Sequence, residues 1–419
     1  MKKLSTALIV IVLLFTSCSS DDDIILLPQC FNAFNLTEIE INNTSAVVGW
    51  EDQNDSANFI VEYGPTGFEI GDGAIVNTTT VSATLTNLEA NTSYDYYVKS
   101  VCSITNAALW SEVKTFTTIG NPVVPEFLQN LSQLNIYTEN LADLTPSAYA
   151  FEYNINSTLF SDYAHKQRII ALPEGSAMTF IDDGLPEFPD NTVIAKTFYY
   201  NIDDRDESLG KTIIETRVLI KTNGVWETGD YKWNSDQTEA TLDLEGSTVE
   251  VVWVDEDGVA NNVSYEIPSN TDCFTCHQTF ENKTPIGPKL RSLNFDIDGV
   301  NQLQTLITNQ QLSGVTDPSS IGVLPNWEDD SFSREERARA YLDINCAHCH
   351  APGGICEIQS TLDLRFETSF EDSEIFSRRF SMSGRISTYN PGFSMPWIGT
   401  TMIHEEGVDL IQTYLNSLD

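Results

Sequence analysis

Between residues 29 and 119, apolar and polar positions alternate in short runs. Ala46–Trp50, Phe59–Tyr63, Ala83–Leu85, Tyr94–Val101 and Val113–Thr117 have the two-residue period of half-buried strands, with polar, turn-rich stretches between them. This pattern predicts an all-β sandwich over residues 29–119. Residues 120–129, with Gly120, Pro122 and Pro125, read as a linker. From 130 to 265 the runs Thr192–Tyr200, Lys211–Thr222, Gly229–Trp233 and Thr248–Asp255 are rich in β-branched and aromatic residues, and Asp255 to Gly258 reads as a hairpin turn. A second β-rich sandwich domain is expected there. In residues 266–419 the period becomes helical. Ser333 and Glu336 form a capping box opening a helix through Ala338, Tyr341 and Leu342, and Val408, Ile411, Leu415 and Leu418 mark one face of a last helix. A multidomain chain is expected, with two β domains followed by an all-α region.

The N-terminus adds a compartment. Lys2 and Lys3, the apolar run Leu8–Phe15 and the small residues Thr16 and Ser17 read as an export signal over residues 1–17, too short to span a bilayer. The Cys18 that follows resembles the lipidated residue of a bacterial lipoprotein. The resemblance implies an outer-membrane lipoprotein, on the cell surface or the periplasmic face. Asp21, Asp22 and Asp23, within an acidic linker at 18–28, resemble the surface-export tag of Bacteroidota lipoproteins; a solvated linker is the other reading.

With 61 acidic and 22 basic side chains the chain carries a formal charge of −39, which argues against nucleic acid and favours a redox partner with a basic docking surface. The eight cysteines carry more information. Cys30 and Cys102, near the two ends of the first module, are expected to pair as a disulfide in an exported protein. Trp50 and the run Leu88, Thr92, Tyr94 make this module resemble fibronectin type III domains, with Ala90 where the signature has proline.

Four further cysteines fall in two Cys-x-x-Cys-His motifs, Cys273 to His277 and Cys346 to His350. This is the attachment pattern of c-type haem: two thiols add to the vinyl groups and the adjacent histidine becomes an axial ligand of the iron. Two covalent haems c are therefore expected, on Cys273 and Cys276 with His277, and on Cys346 and Cys349 with His350. A zinc site or a dithiol redox pair is the alternative use of such cysteines. Met395, before Pro396 and the final helix, is the expected distal ligand of the second iron. A helix, the motif, a Met-Pro loop and a closing helix resemble class I cytochromes c. The first motif has no Met or His between Gln278 and Asn345, so its distal ligand must come from afar. The candidates are His165, Met178, Met382, Met402, His404 or a lysine. His348 is expected to be exposed or at a haem edge, and Cys356 is left as an unassigned thiol.

Residues 130–419 resemble a family of dihaem c-type cytochromes. The residues carrying this include Leu159 to Arg168, Phe188 to Phe198, Glu215 to Arg217, Tyr231 to Asn234, Gly287 to Asn294 and the two motifs. The resemblance implies haem binding and electron transfer, with no defined substrate and no catalytic residue. Two other functions stay open: a haem enzyme with an open first iron, and a surface protein whose β domains bind a glycan or partner.

Overall fold

The structure, a computed structural model, describes residues 29–54, 58–138 and 140–418. The export signal, the acidic run and Cys18 lie outside the described residues. The chain divides into two compact units, the first ending at Ile119 and the second comprising Gly120–Asp419.

The first unit contains β1 (Phe34–Ile41), β2 (Ser45–Glu51), β3 (Asn58–Pro65), β4 (Ala74–Thr78), β5 (Ser82–Thr86), β6 (Ser93–Ser103), β7 (Asn106–Ala107) and β8 (Lys114–Thr117). One sheet runs β1-β2-β5 and the other β4-β3-β6-β7, with β8 also on β6. Alternate residues of β2, β3 and β6, namely Val48, Trp50, Val61, Tyr63, Tyr94 and Tyr96, form the core between them. The sequence pattern did not predict β1 and β4. Both leave apolar side chains in water, Ile39 at 63% and Ile75 at 58% exposure, so their alternation carries no clean signal. The Glu89 N–H donates to the Tyr94 hydroxyl at 2.9 Å, the backbone tie of a corner tyrosine. Cys30 and Cys102 are disulfide-bonded across 72 residues of sequence, as expected.

The second unit is built on a six-stranded antiparallel sheet ordered β15-β14-β13-β12-β10-β9. Its strands are β9 (Ala150–Glu152), β10 (His165–Ala171), β12 (Val193–Asn201), β13 (Lys211–Thr222), β14 (Val225–Trp233) and β15 (Ala240–Asp243); the short β11 (Met178–Thr179) stands apart. A hairpin of β16 (Ser247–Val254) and β17 (Ala260–Ile267) packs Trp253, Val263 and Tyr265 on Phe198 and Tyr200 of the sheet. One sheet face is largely apolar, with Ile169, Ala195, Val218 and Tyr231 under the turn at Leu131–Leu134, and it buries Thr197 and Thr216 in hydrogen bonds with Tyr137 and Trp233. The other face is apolar at both ends and charged between them.

Six helices follow: α1 (Asn270–Cys276), α2 (Leu290–Leu293), α3 (Gln302–Thr308), α4 (Arg334–Asn345), α5 (Ile375–Ile386) and α6 (Glu405–Asn416). The expectation of an all-α C-terminal region is met only in part. Residues 278–279 and 282–283 form a two-stranded ribbon, as do 296–297 and 300–301, and Leu312–Ser313 pairs in parallel with β11. The helices α2 and α3 are too short to bury one another. Leu290, Leu293, Leu303 and Leu306 instead cover Ile170, Ile194 and Leu219 of the sheet. The first Cys-x-x-Cys-His motif is thus joined to the β body, and residues 120–419 are one compact unit.

The helices α4, α5 and α6 share a core of Ala338, Leu342, Ile375, Met382, Ile411 and Tyr414. The predicted capping box at Ser333 and Glu336 opens α4. The buried face of α6 is Gly407, Leu410, Ile411, Tyr414 and Leu415, rotated from the expected one, with Val408 only half-buried. Gly407 fixes that rotation: a side chain there would fall on the hydroxyl and ring edge of Tyr341 in α4.

Candidate functional site

The second motif is the C-terminal continuation of α4. Cys346 caps the helix, its N–H donating to Leu342 O at 2.9 Å, and the His350 N–H returns to Cys346 O at 2.9 Å. These turns bring both cysteines and His350 to one cavity of about 630 Å³. Met395 lines the same cavity, held by its N–H to Arg385 O at 2.9 Å. Leu342, Leu364, Met382 and Ile411 give it a largely apolar wall. His350 Nδ1 is buried without a hydrogen-bond partner, and burial pushes this imidazole down, favouring the neutral form that coordinates metals. The volume lies within the roughly 300–1,000 Å³ of cofactor sites, and the Cys346 and Cys349 thiols, the His350 imidazole and the Met395 thioether are among the groups lining it. The residues here fit a c-type haem.

The first motif sits on α1, opened by a capping box between Ser269 and Asp272. The His277 N–H donates to Cys273 O at 2.9 Å, closing the motif. His277 Nδ1 lies 2.8 Å from Thr284 O; the carbonyl accepts only from a protonated Nδ1, which leaves Nε2 as the free lone pair. Burial, reinforced by Lys196, pulls His277 down to about 3. The Cys273 thiol donates to Asp230 Oδ2 at 3.4 Å. Burial and Glu215 push Asp230 up to about 8, and the Cys273 thiol is also pushed up. Cys273, Cys276 and His277 line an adjoining cavity of about 80 Å³, by itself smaller than a porphyrin, and Cys276 also lines the larger cavity.

The two motifs meet. The ligand atoms of Cys276, His348 and Cys349 all lie within 4.8 Å of one another. The Cys276 thiol is pulled down to about 5, chiefly by its contact with Cys349, whose own thiol is pushed up. Cys356 joins them beside Cys349 and is pulled down to about 7. His348 lines both cavities, and its Nδ1 is buried without a partner.

The structure does not bring His165 to the first motif. His165 opens β10 with Nε2 2.7 Å from Asp204 Oδ1, its ring stacked on Tyr199, and it lines neither cavity. Polar residues at this strand end hold it instead. Among the other distal candidates, Met178 is core, and Met402 packs beside the hairpin core. Met382 and His404 line the larger cavity. His404 is enclosed by Phe160, Tyr163, Trp327 and Tyr341; its Nδ1 lies 3.0 Å from the Tyr341 hydroxyl, and burial pulls it down to about 4. Sequence reasoning missed Lys196, which lines the smaller cavity beside Cys273 and His277. Burial first, then Arg168 and Arg217, pull its ammonium down to about 7.

The fibronectin type III domain family matches residues 29–117, so the first module is a fibronectin type III domain. Among solved structures, a myokine is 26% identical over 22% of this chain and 98% of its own, with a TM-score of 0.20. A computationally redesigned β-sandwich protein is 30% identical over 22% of this chain and 95% of its own, with a TM-score of 0.18. The FN5 domain of Drosophila Lar is 17% identical over 22% of this chain and 99% of its own, with a TM-score of 0.19. No curated protein matches the chain.

Proposed function

We propose that this chain is a c-type cytochrome of the bacterial cell envelope, acting as an electron carrier. The observation that carries this reading is the convergence of Cys346, Cys349, His350 and Met395 on one cavity of about 630 Å³. Cys346 and Cys349 would hold the haem through thioethers, and His350 and Met395 would be its axial ligands. The haem supplies one-electron exchange. The chain sets the terms of that exchange. A thioether from Met395 would raise the reduction potential relative to a second imidazole, and Leu342 and Ile411 would give the group apolar surroundings. A second haem on Cys273 and Cys276, with His277, is what that motif predicts; the 80 Å³ beside it must open to admit one. The formal charge of −39 suits a basic redox partner, and a lipid on Cys18 would hold the protein at the outer membrane. The Cys30–Cys102 disulfide fits an oxidising compartment.

A second reading rests on the meeting of the motifs. Cys276, His348 and Cys349, with Cys356 alongside, are sulfur and imidazole donors suited to a soft metal ion such as zinc. Haem attachment consumes Cys276 and Cys349, so the two readings exclude each other. Low-temperature EPR of the oxidised protein, purified from a host that attaches haem c, separates them. Low-spin ferric signals whose ligand set changes in Met395→Ala support the cytochrome. Stoichiometric zinc with no ferric signal overturns it.

A further inference from the structure

We propose that the cavity between the sheet and the first Cys-x-x-Cys-His motif is an anion site, with Lys196 and Arg217 as its cationic groups. The pairing register carries this inference. In β10, β12 and β13, Arg168 lies opposite Lys196 and Lys196 opposite Arg217, so three cations stand side by side across three strands. Like charges directly opposite one another destabilise a sheet, and buried charges need partners. This chain has only 22 basic residues against 61 acidic ones, so a row of cations, Arg168 buried and Lys196 and Arg217 half-buried, is not a by-product of composition.

Glu152 and Asp162 act on Arg168 and Lys166 from outside the cavity, and the acids closer to it are engaged with other donors. Asp230, opposite Arg217 in β14, accepts from the Cys273 thiol. Glu215, fully buried, pairs with Arg217 at 2.6 Å and also accepts from the Tyr265 hydroxyl. Asp272 lines the cavity, but its carboxylate accepts from Ser269 at its own helix start. Against these stand Arg168, Lys196, Arg217 and also Lys166 in the adjacent row, whose ammonium donates to Ala164 O. Arg168 Nε and Arg217 Nε are buried without partners. The Lys196 ammonium makes no hydrogen bond or ion pair among the described residues, and Glu215 is the acid that acts on it. It lines the cavity together with Arg217. A volume of about 80 Å³ admits a carboxylate or a small tetrahedral oxyanion.

The shared chemistry is thus a compact oxyanion, and two sources can supply it: a free solute anion, or a carboxylate of a haem attached at Cys273 and Cys276. The probe is sodium sulfate at constant ionic strength, titrated calorimetrically into the full-length protein and into a Cys273→Ser/Cys276→Ser variant. Saturable one-to-one binding by both forms assigns the site to a free anion. Binding by the cysteine variant alone assigns it to a haem carboxylate in the parent. In whichever form binds, Lys196→Met weakens sulfate at least tenfold. Thermal melting gives an independent reading of the same site: sulfate raises the melting temperature of that form and leaves Lys196→Met unmoved. The absence of sulfate binding in both forms, or equal binding with Lys196→Met, overturns the proposal. The sulfate readout on the cysteine variant needs no haem at the first motif, so its outcome is independent of the cytochrome reading.

Discussion

Gly407→Ala tests how α6 is seated on α4, and with it the wall of the larger cavity, which Gly407 lines. Two effects oppose each other. Within a helix, alanine is favoured over glycine by about 1 kcal/mol. Against this, the added methyl would lie 2.5 Å from Tyr341 Cε2 and closer still to its hydroxyl. Tyr341 has little room to retreat. Its ring packs edge-on to Trp327 at 5.4 Å and stacks with His404 at 5.6 Å, and its hydroxyl lies 3.0 Å from His404 Nδ1. Overpacking of this kind costs about 1–3 kcal/mol, and a ring held on three sides belongs at the upper end. The expected net effect is a loss of about 2 kcal/mol, read from urea unfolding followed by circular dichroism and tryptophan fluorescence. In a Tyr341→Ala background the same change should become neutral or stabilising by up to about 1 kcal/mol. A Gly407→Ala protein as stable as its parent would refute the reasoning.

Other outcomes follow from the same structure. Replacing Cys30 and Cys102 by serine frees a loop of 72 residues and should lower the stability of the first unit by about 4 kcal/mol, measured by urea unfolding of that unit's transition. His404 is held down to about 4, so the unfolded chain binds its proton first as pH falls from about 6.5. Stability should therefore drop between pH 6.5 and 4 by up to about 3 kcal/mol more in the parent than in His404→Gln, in unfolding measured across that range. Met395→Ala should keep the haem on Cys346 and Cys349 but lower its midpoint potential in a redox titration, since a thioether ligand is lost.

The parts of this protein that read clearly in the sequence are local. The strand β2 is legible because Ala46, Val48 and Trp50 alternate into the core, and α4 is legible because Ser333 and Glu336 cap it. Both Cys-x-x-Cys-His motifs are visible because attachment chemistry requires adjacent residues. The edge strands β1 and β4 escape, since their apolar residues face water. Residues 266–419 read as helical from the capping box and the last-helix face, yet the leucines soon after α1 belong to the sheet's core. The aromatic cage around His404 draws on residues from Phe160 to Tyr341, and the row Arg168, Lys196, Arg217 exists only through strand register. Neither leaves a mark on any single stretch of chain. His165 is a distal-ligand candidate by residue type, and residue type carries no information on where its strand places it.

The central claim is a haem covalently held at the second motif. The most direct measurement is the visible spectrum of the reduced, full-length protein after acid–acetone extraction, which removes haem that is not covalently attached. The parent should keep a c-type α-band, and Cys346→Ala/Cys349→Ala should lose the part belonging to the second motif. A colourless parent protein, or a band unchanged by that double substitution, would contradict it.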